Sequence, residues 1–126
     1  MKKNKGFTLA ELLIVVAIIA VLVAIAIPVY KTQLHNSEVA TDVANVRTYY
    51  AEIQADYITT GEYNPIVRTD WHSSPTYDWT SVTKLNGEKV KLKTGTCAVS
   101  FNSSKGYSIE YNCNDFHDEH HYSFGN

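Results

Sequence analysis

Sixteen consecutive apolar residues, 12–27, constrain this chain more than any other feature. Phe7, Leu9 and Ala10 precede them and Pro28, Val29 and Tyr30 follow, so the apolar stretch covers 7–30 with Thr8 and Glu11 as its polar exceptions. At about 1.5 Å per residue, a helix of this length crosses a hydrocarbon layer of roughly 30 Å. A secretory signal would show an apolar core of about 7 to 15 residues and then a small-residue cleavage site. This run is longer and has no clear site before Pro28 and Tyr30. An ordinary membrane anchor explains the length but not Glu11, because an acidic side chain in a spanning helix costs on the order of 2.5 to 3.5 kcal/mol. A charge kept at that cost is a functional hypothesis, and it needs a partner inside the membrane or an assembly. No basic side chain lies in the run, so the remaining candidate is an amino group freed by a cut just upstream of the helix.

The residues Lys5, Gly6, Phe7, Thr8, Leu9, Ala10, Glu11, Leu12, Leu13 and Ile14 resemble the processing site of type IV prepilins. The resemblance combines a short basic leader (Lys2, Lys3, Lys5), Gly before the cut, Phe as first mature residue, Glu at the fifth mature position and an immediate spanning helix. It implies that a membrane-embedded prepilin peptidase cleaves between Gly6 and Phe7 and N-methylates Phe7. It also implies that Glu11 pairs with the Phe7 amino group of a neighbouring subunit and sets the axial step between subunits, since charges in a low-dielectric core attract strongly only when paired. The leader lysines suit an N-terminus kept in the cytoplasm and an exported head. Pro28 matches the family's proline near the end of the apolar segment, where the lost backbone bond predicts a kink or melted turn. The implied organisation is a leader at 1–6, a transmembrane assembly segment at 7–30, and an amphipathic helix half with a globular head at 31–126.

Beyond Pro28, Val39, Val43, Val46, Tyr50, Ile53 and Tyr57 recur at steps of three and four, which is one face of a helix. Thr41, Asp42, Asn45, Thr48, Glu52 and Gln54 fall largely on the other side, and Gly61 suits a helix stop. A helix from about Phe7 to Thr59 would be roughly 80 Å long. The segment 62–80 is rich in turn formers and aromatics (Tyr63, Trp71, Tyr77, Trp79), which either cap the head's own core or contact other subunits. Asn86-Gly87 between strand-like runs is a hairpin signal. Pairing about it sets Thr83 opposite Val90 and Leu85 opposite Glu88, and gathers Lys84, Lys89, Lys91 and Lys93 on one face. That face is either a solvated strand surface, which also blunts edge pairing, or a contact for DNA or another anionic surface.

A second hairpin turns at 102–106. Centred on Lys105, it sets Phe101 opposite Ile109, Val99 opposite Tyr111 and Cys97 opposite Cys113, where an exported head could form a disulfide. By resemblance, Cys97 and Cys113 occupy the place of the C-terminal disulfide of many pilins; the alternative is a pair of reduced core thiols. The tail holds Asp115, His117, Asp118, Glu119, His120 and His121, but without the fixed spacing of structural zinc sites. A solvated or strand-edge tail is therefore expected, with no dedicated metal site and no cofactor; adventitious or regulatory metal binding is the alternative.

One domain-sized core fits 126 residues. Without the three leader lysines, 8 basic residues stand against 13 acidic ones, which argues against a specific nucleic-acid partner. No phosphate-binding Gly-rich loop, nucleophile elbow or catalytic Cys/His spacing appears, so no enzyme is expected. The predicted architecture is α+β, a long N-terminal helix packed on a small antiparallel sheet, as in the pilin fold. The function implied is a structural subunit of a type IV pilus that polymerises with copies of itself. Its further partners would be the prepilin peptidase, the inner-membrane assembly machinery and, before assembly, membrane lipid. It would begin as a single-pass precursor in the cytoplasmic membrane and end in an extracellular filament. The alternative is a pseudopilin of a type II secretion or competence DNA-uptake system.

Overall fold

The computed structural model describes residues 6, 8–69, 79–114 and 119–125. Helix α1 runs over Leu9–Thr60, and five strands follow: β1 (Ser81–Thr83), β2 (Lys89–Lys91), β3 (Thr96–Asn102), β4 (Gly106–Asn114) and β5 (Glu119–Phe124). The predicted α+β class, a long N-terminal helix with a small antiparallel sheet, is the one observed. The chain divides into two compact units, Met1–His35 and Asn36–Asn126.

Among the described residues of the first unit, no apolar core is formed. Leu12, Leu13, Ile14, Val16, Ile18, Ile19, Val21, Leu22, Ile25 and Ile27 are all exposed around the helix. This helix is long and apolar enough to cross a membrane. An apolar cylinder with intact internal hydrogen bonding is stable in lipid or against other apolar helices, and is unfavourable in water. The melted turn expected at Pro28 is absent, since helical backbone continues through it. Proline costs the helix one backbone bond. The surrounding residues 12–27 contain no glycine that would release the chain further, and Thr32 Oγ1 donates to the Pro28 carbonyl at 3.1 Å on the following turn.

In the second unit, α1 presents Val39, Asp42, Val46, Tyr49 and Ile53 as its buried stripe. Val43, Tyr50 and Tyr57, three of the positions expected to lead that face, flank it and are partly buried. The stripe packs on Val67, Val99, Tyr107, Ile109 and Tyr111. Fully burying side chains of this size stabilises by about 1.5–3 kcal/mol each, which is how a small head can hold its fold. The helix ends where expected, with the Gly61 N–H closing on the Tyr57 carbonyl at 2.7 Å.

The strands form two antiparallel sheets, β1-β2 and β3-β4-β5. Both hairpin registers differ from the sequence expectation. In the first, Val82 opposes Val90 and Thr83 opposes Lys89, a shift of one residue. A two-residue Asn-Gly loop would need both residues at positive φ, whereas here Gly87 alone takes φ 89°. The loop is therefore three residues long, closed by Gly87 N–H to the Lys84 carbonyl (2.9 Å) and Lys84 N–H to the Glu88 carbonyl (2.8 Å). In the second, Phe101 opposes Tyr107, Val99 opposes Ile109 and Cys97 opposes Tyr111, a shift of two. Gly106, at φ 89°, fixes that turn, because a Cβ there would lie 2.6 Å from Gln54 Oε1. Gln54 also accepts the Tyr107 N–H (2.9 Å) and donates to the Lys105 carbonyl (3.2 Å), pinning the turn to the helix.

Candidate functional site

Glu11 lies in the first turn of α1, and the structure gives its carboxylate a partner within the same chain. Thr8 N–H donates to Glu11 Oε2 at 3.0 Å, and Glu11 N–H donates to Thr8 Oγ1 at 3.3 Å. This reciprocal pair is a capping box: two of the four N–H groups that every helix start leaves open are satisfied. The Thr-x-x-Glu spacing was visible in the sequence, and it explains part of what holds an acidic residue at this end. An ionised carboxylate has about four acceptor positions, so the bond to Thr8 leaves capacity for an ammonium group. Gly6 is exposed, with nothing within 4 Å of where a Cβ would stand. Phe7 and the leader lysines lie outside the described residues. A few residues on, Ile14, Ala17, Ile18, Val21 and Leu22 line a shallow apolar groove along one side of the helix.

The head contains a polar centre that sequence reasoning missed. Asp42 is fully buried. Its Oδ1 accepts the backbone N–H of Lys93 (2.6 Å), and its Oδ2 accepts the N–H groups of Thr94 (2.9 Å) and Gly95 (3.1 Å) and the Tyr111 hydroxyl (3.0 Å). One helical carboxylate thus ties down the whole β2–β3 connection. The signal was its spacing, three residues after Val39 and four before Val46, which places it on the apolar stripe rather than on the polar face where composition alone put it. Gly95 leaves room for the Tyr111 ring, which a Cβ would meet at 2.3 Å. Burial, and then the hydrogen bond and charge of Asp42, push the Tyr111 hydroxyl well above the usual phenol range.

Cys97 and Cys113 are both buried. The register expected for them is corrected: with the turn set by Gly106, Cys97 faces Tyr111, and Cys113 falls two residues further along β4. Cys113 Sγ lies 3.6 Å from Thr94 Oγ1 and 3.7 Å from the Thr94 carbonyl. Burial first, and the nearby Asp42 charge second, push the Cys97 thiol up to about 12, with Arg68 acting in the opposite direction.

The tail supplies β5, paired to β4 with His120 opposite Cys113 and His121 opposite Asn112. It is a sheet edge, one of the two forms expected for it. Asp115, His117 and Asp118 lie outside the described residues, and among those described no group of three or more His, Cys, Asp or Glu could hold a metal. Trp71 and Tyr77 are likewise outside. Trp79 is buried and bridges to Cys97, and Tyr63 packs on Phe101 and Tyr107, so these two aromatics of the connection serve the head's own core.

Comparison with known proteins gives the N-terminal geometry a context. Residues 1–27 match the family described as the prokaryotic N-terminal methylation motif. The chain is similar to the type IV major fimbrial protein FimA of Dichelobacter nodosus, 44% identical over 111 residues, which cover 86% of this chain and 62% of that protein. It is similar to the type IV major pilin protein PilE1 of Neisseria gonorrhoeae, 28% identical over 101 residues, covering 80% of this chain and 54% of the other. A fimbrial protein of Pseudomonas aeruginosa is 54% identical over 46 residues, covering 36% and 30% respectively. The chain thus spans from about a third to less than two thirds of the length of these relatives. No solved structure matches it. The resemblance read from residues 5–14 is upheld: the chain is similar to proteins named as type IV pilins and fimbrial proteins.

Proposed function

We propose that this chain is a structural subunit of a type IV pilus, cut between Gly6 and Phe7 by a prepilin peptidase, methylated on Phe7, and polymerised through α1 into a surface filament. The observation that carries this reading is the coincidence of the methylation motif at 1–27 with an exposed apolar stretch at the start of α1, whose first turn holds Glu11. Such a helix is satisfied in lipid before assembly and by neighbouring copies afterwards, so export from the membrane exchanges one apolar surrounding for another. Glu11, already bonded to Thr8, accepts the amino group of a neighbour's Phe7 with its remaining lone pairs. Pairing two charges in a filament core offsets the cost of each one alone.

Glu11→Ala is expected to leave the head folded and the precursor inserted and cleaved, but to abolish most filament formation, measured by shearing filaments from cells and by electron microscopy. Thr8→Ala removes half of the cap and keeps the carboxylate, so its filament yield should stay near the parental level. Parental yield from Glu11→Ala would refute the assembly role. Loss of yield in both variants to the same extent would assign Glu11 to helix capping alone. Deletion of the gene separates the pilus from a secretion or DNA-uptake pseudopilus, because only the former predicts loss of long surface filaments.

A further inference from the structure

We propose that the outer edge of β5 pairs antiparallel with β5 of a second copy of this chain, so that one sheet runs continuously through two heads. Among the described residues β5 has β4 as its strand neighbour and stands at the margin of the sheet. A strand in that position turns every second N–H and C=O away from the sheet, a template for another extended chain. Proline, lysine and bulges are the devices that blunt such an edge. The sequence of β5 contains neither proline nor lysine, and its formal charge, Glu119, is its first residue. Its register on β4 runs unbroken from Glu119 to Phe124, so no bulge twists it away. The opposite margin is built differently: on β3, Cys97, Ala98 and Val99 are buried and Trp79 bridges to Cys97, whereas on β5 His121, Tyr122 and Ser123 are exposed.

The edge is also fixed as a strand before a partner arrives. The Phe124 ring stacks on Tyr50 at 6.0 Å and lies 5.5 Å from the Arg47 guanidinium. The Tyr122 and Tyr111 rings stand 6.3 Å apart. Gly125 follows at φ 83°, where a Cβ would strike the Tyr107 carbonyl. Little ordering entropy is then lost on pairing.

The strand's own sequence selects the occupant. Directly opposed residues of an antiparallel pair point to one face, so a two-fold between identical strands passes through a residue opposite its own copy. Centring on His121 would set imidazole against imidazole and leave Phe124 outside the pairing. Centring on Tyr122 sets Tyr122 against the partner's Tyr122, His121 against the partner's Ser123 and His120 against the partner's Phe124. That register opposes no like charges and leaves Glu119 beyond the paired segment. Tyr122, 40% exposed, gains an aromatic cross-strand neighbour. An unrelated extended peptide would supply main-chain hydrogen bonds without these side-chain pairs. The contact lies in the head and makes no use of α1, so it goes beyond the filament reading, and its test does not depend on filament formation.

Oxidative cross-linking of the full chain in an uncharged detergent, with one cysteine introduced and the parental chain as blank, tests this. Opposed Cα atoms in such a pair stand about 4.5–5.5 Å apart, within disulfide range. A held pair meets at an effective concentration of mM order, so at about 10 µM chain Tyr122→Cys should form covalent dimer on the order of 100-fold faster than Ser100→Cys, an exposed position on β3. Association through the apolar helix would raise both rates equally. An equal mixture of His121→Cys and Ser123→Cys should cross-link faster than either variant alone. Adding Tyr122→Lys to both members sets two ammoniums face to face and should return the mixture to the Ser100→Cys rate. Equal rates for Tyr122→Cys and Ser100→Cys, in chains with parental near-ultraviolet circular dichroism, would overturn the proposal. So would a mixture no faster than its components, or a scrambled 119–125 peptide that suppresses the Tyr122→Cys dimer as strongly as the native peptide does.

Discussion

Replacing Asp42 with alanine removes the acceptor of four hydrogen bonds at once, and the consequences follow from where the donors lie. The N–H groups of Lys93, Thr94 and Gly95 and the Tyr111 hydroxyl converge on one fully buried carboxylate. A hydrogen bond to a charged group contributes about 1.5–3 kcal/mol net, and a donor left buried without an acceptor costs about 1–3 kcal/mol. These terms share one acceptor and do not add. Removing one partner of a buried charged cluster costs about 3–5 kcal/mol, and water entering the vacated space recovers some of it, so about 3 kcal/mol is expected. For a head of this size each kcal/mol moves Tm by about 4–8 °C, giving a fall of about 12–24 °C. Asp42→Asn keeps the volume and can keep an oxygen facing Thr94, Gly95 and Tyr111, but it turns an amide donor toward the Lys93 N–H. It should cost about half as much as alanine. Near-ultraviolet circular dichroism of the full chain in detergent, followed through thermal unfolding, isolates the head from the apolar N-terminal part of α1, whose far-ultraviolet signal persists. An alanine variant melting within about 2 °C of the parent, a difference below about 0.5 kcal/mol, would refute the view that this carboxylate anchors the β2–β3 connection.

Two further outcomes follow from the same centre. Gly95→Ala sets a Cβ 2.3 Å from the Tyr111 ring, so overpacking should cost about 1–3 kcal/mol in the same melting assay, and Tyr111→Leu combined with it should recover part of the loss. Cys97, raised from 9.0 to about 12, should react with a thiol reagent at pH 8 far more slowly in the folded chain than in denaturant. Because its folded pKa is raised, the thiol contributes stability that is fully present below pH 9 and is lost between pH 9 and about 12. Cys97→Ala should therefore show a shallower loss of stability across that alkaline window, and an unchanged slope would remove Cys97 as its cause.

Local chemistry settled the helix and its surroundings. An unbroken apolar run satisfies its own backbone as a helix and can be stable only in an apolar setting, and neither statement needs the rest of the chain. The helix stop at Gly61, the existence of two hairpins and the Thr8–Glu11 cap are equally local. Register and burial were different. Choosing between two-residue and three-residue loops depended on one glycine, not two residues, taking positive φ, and the second turn was set by Gln54 reaching across more than fifty residues to Lys105 and Tyr107. A slip of one or two positions changes every cross-strand pair, which is why Cys97 meets Tyr111 and not Cys113. Asp42 could be placed in the core only once a loop some fifty residues later supplied its donors, since a buried carboxylate is tolerated only where hydrogen bonds replace water. The sequence by itself determined that this chain has an apolar helix bearing an acidic first turn. Only the tertiary structure decided what the head buries, because those energies depend on groups that the chain brings together from far apart.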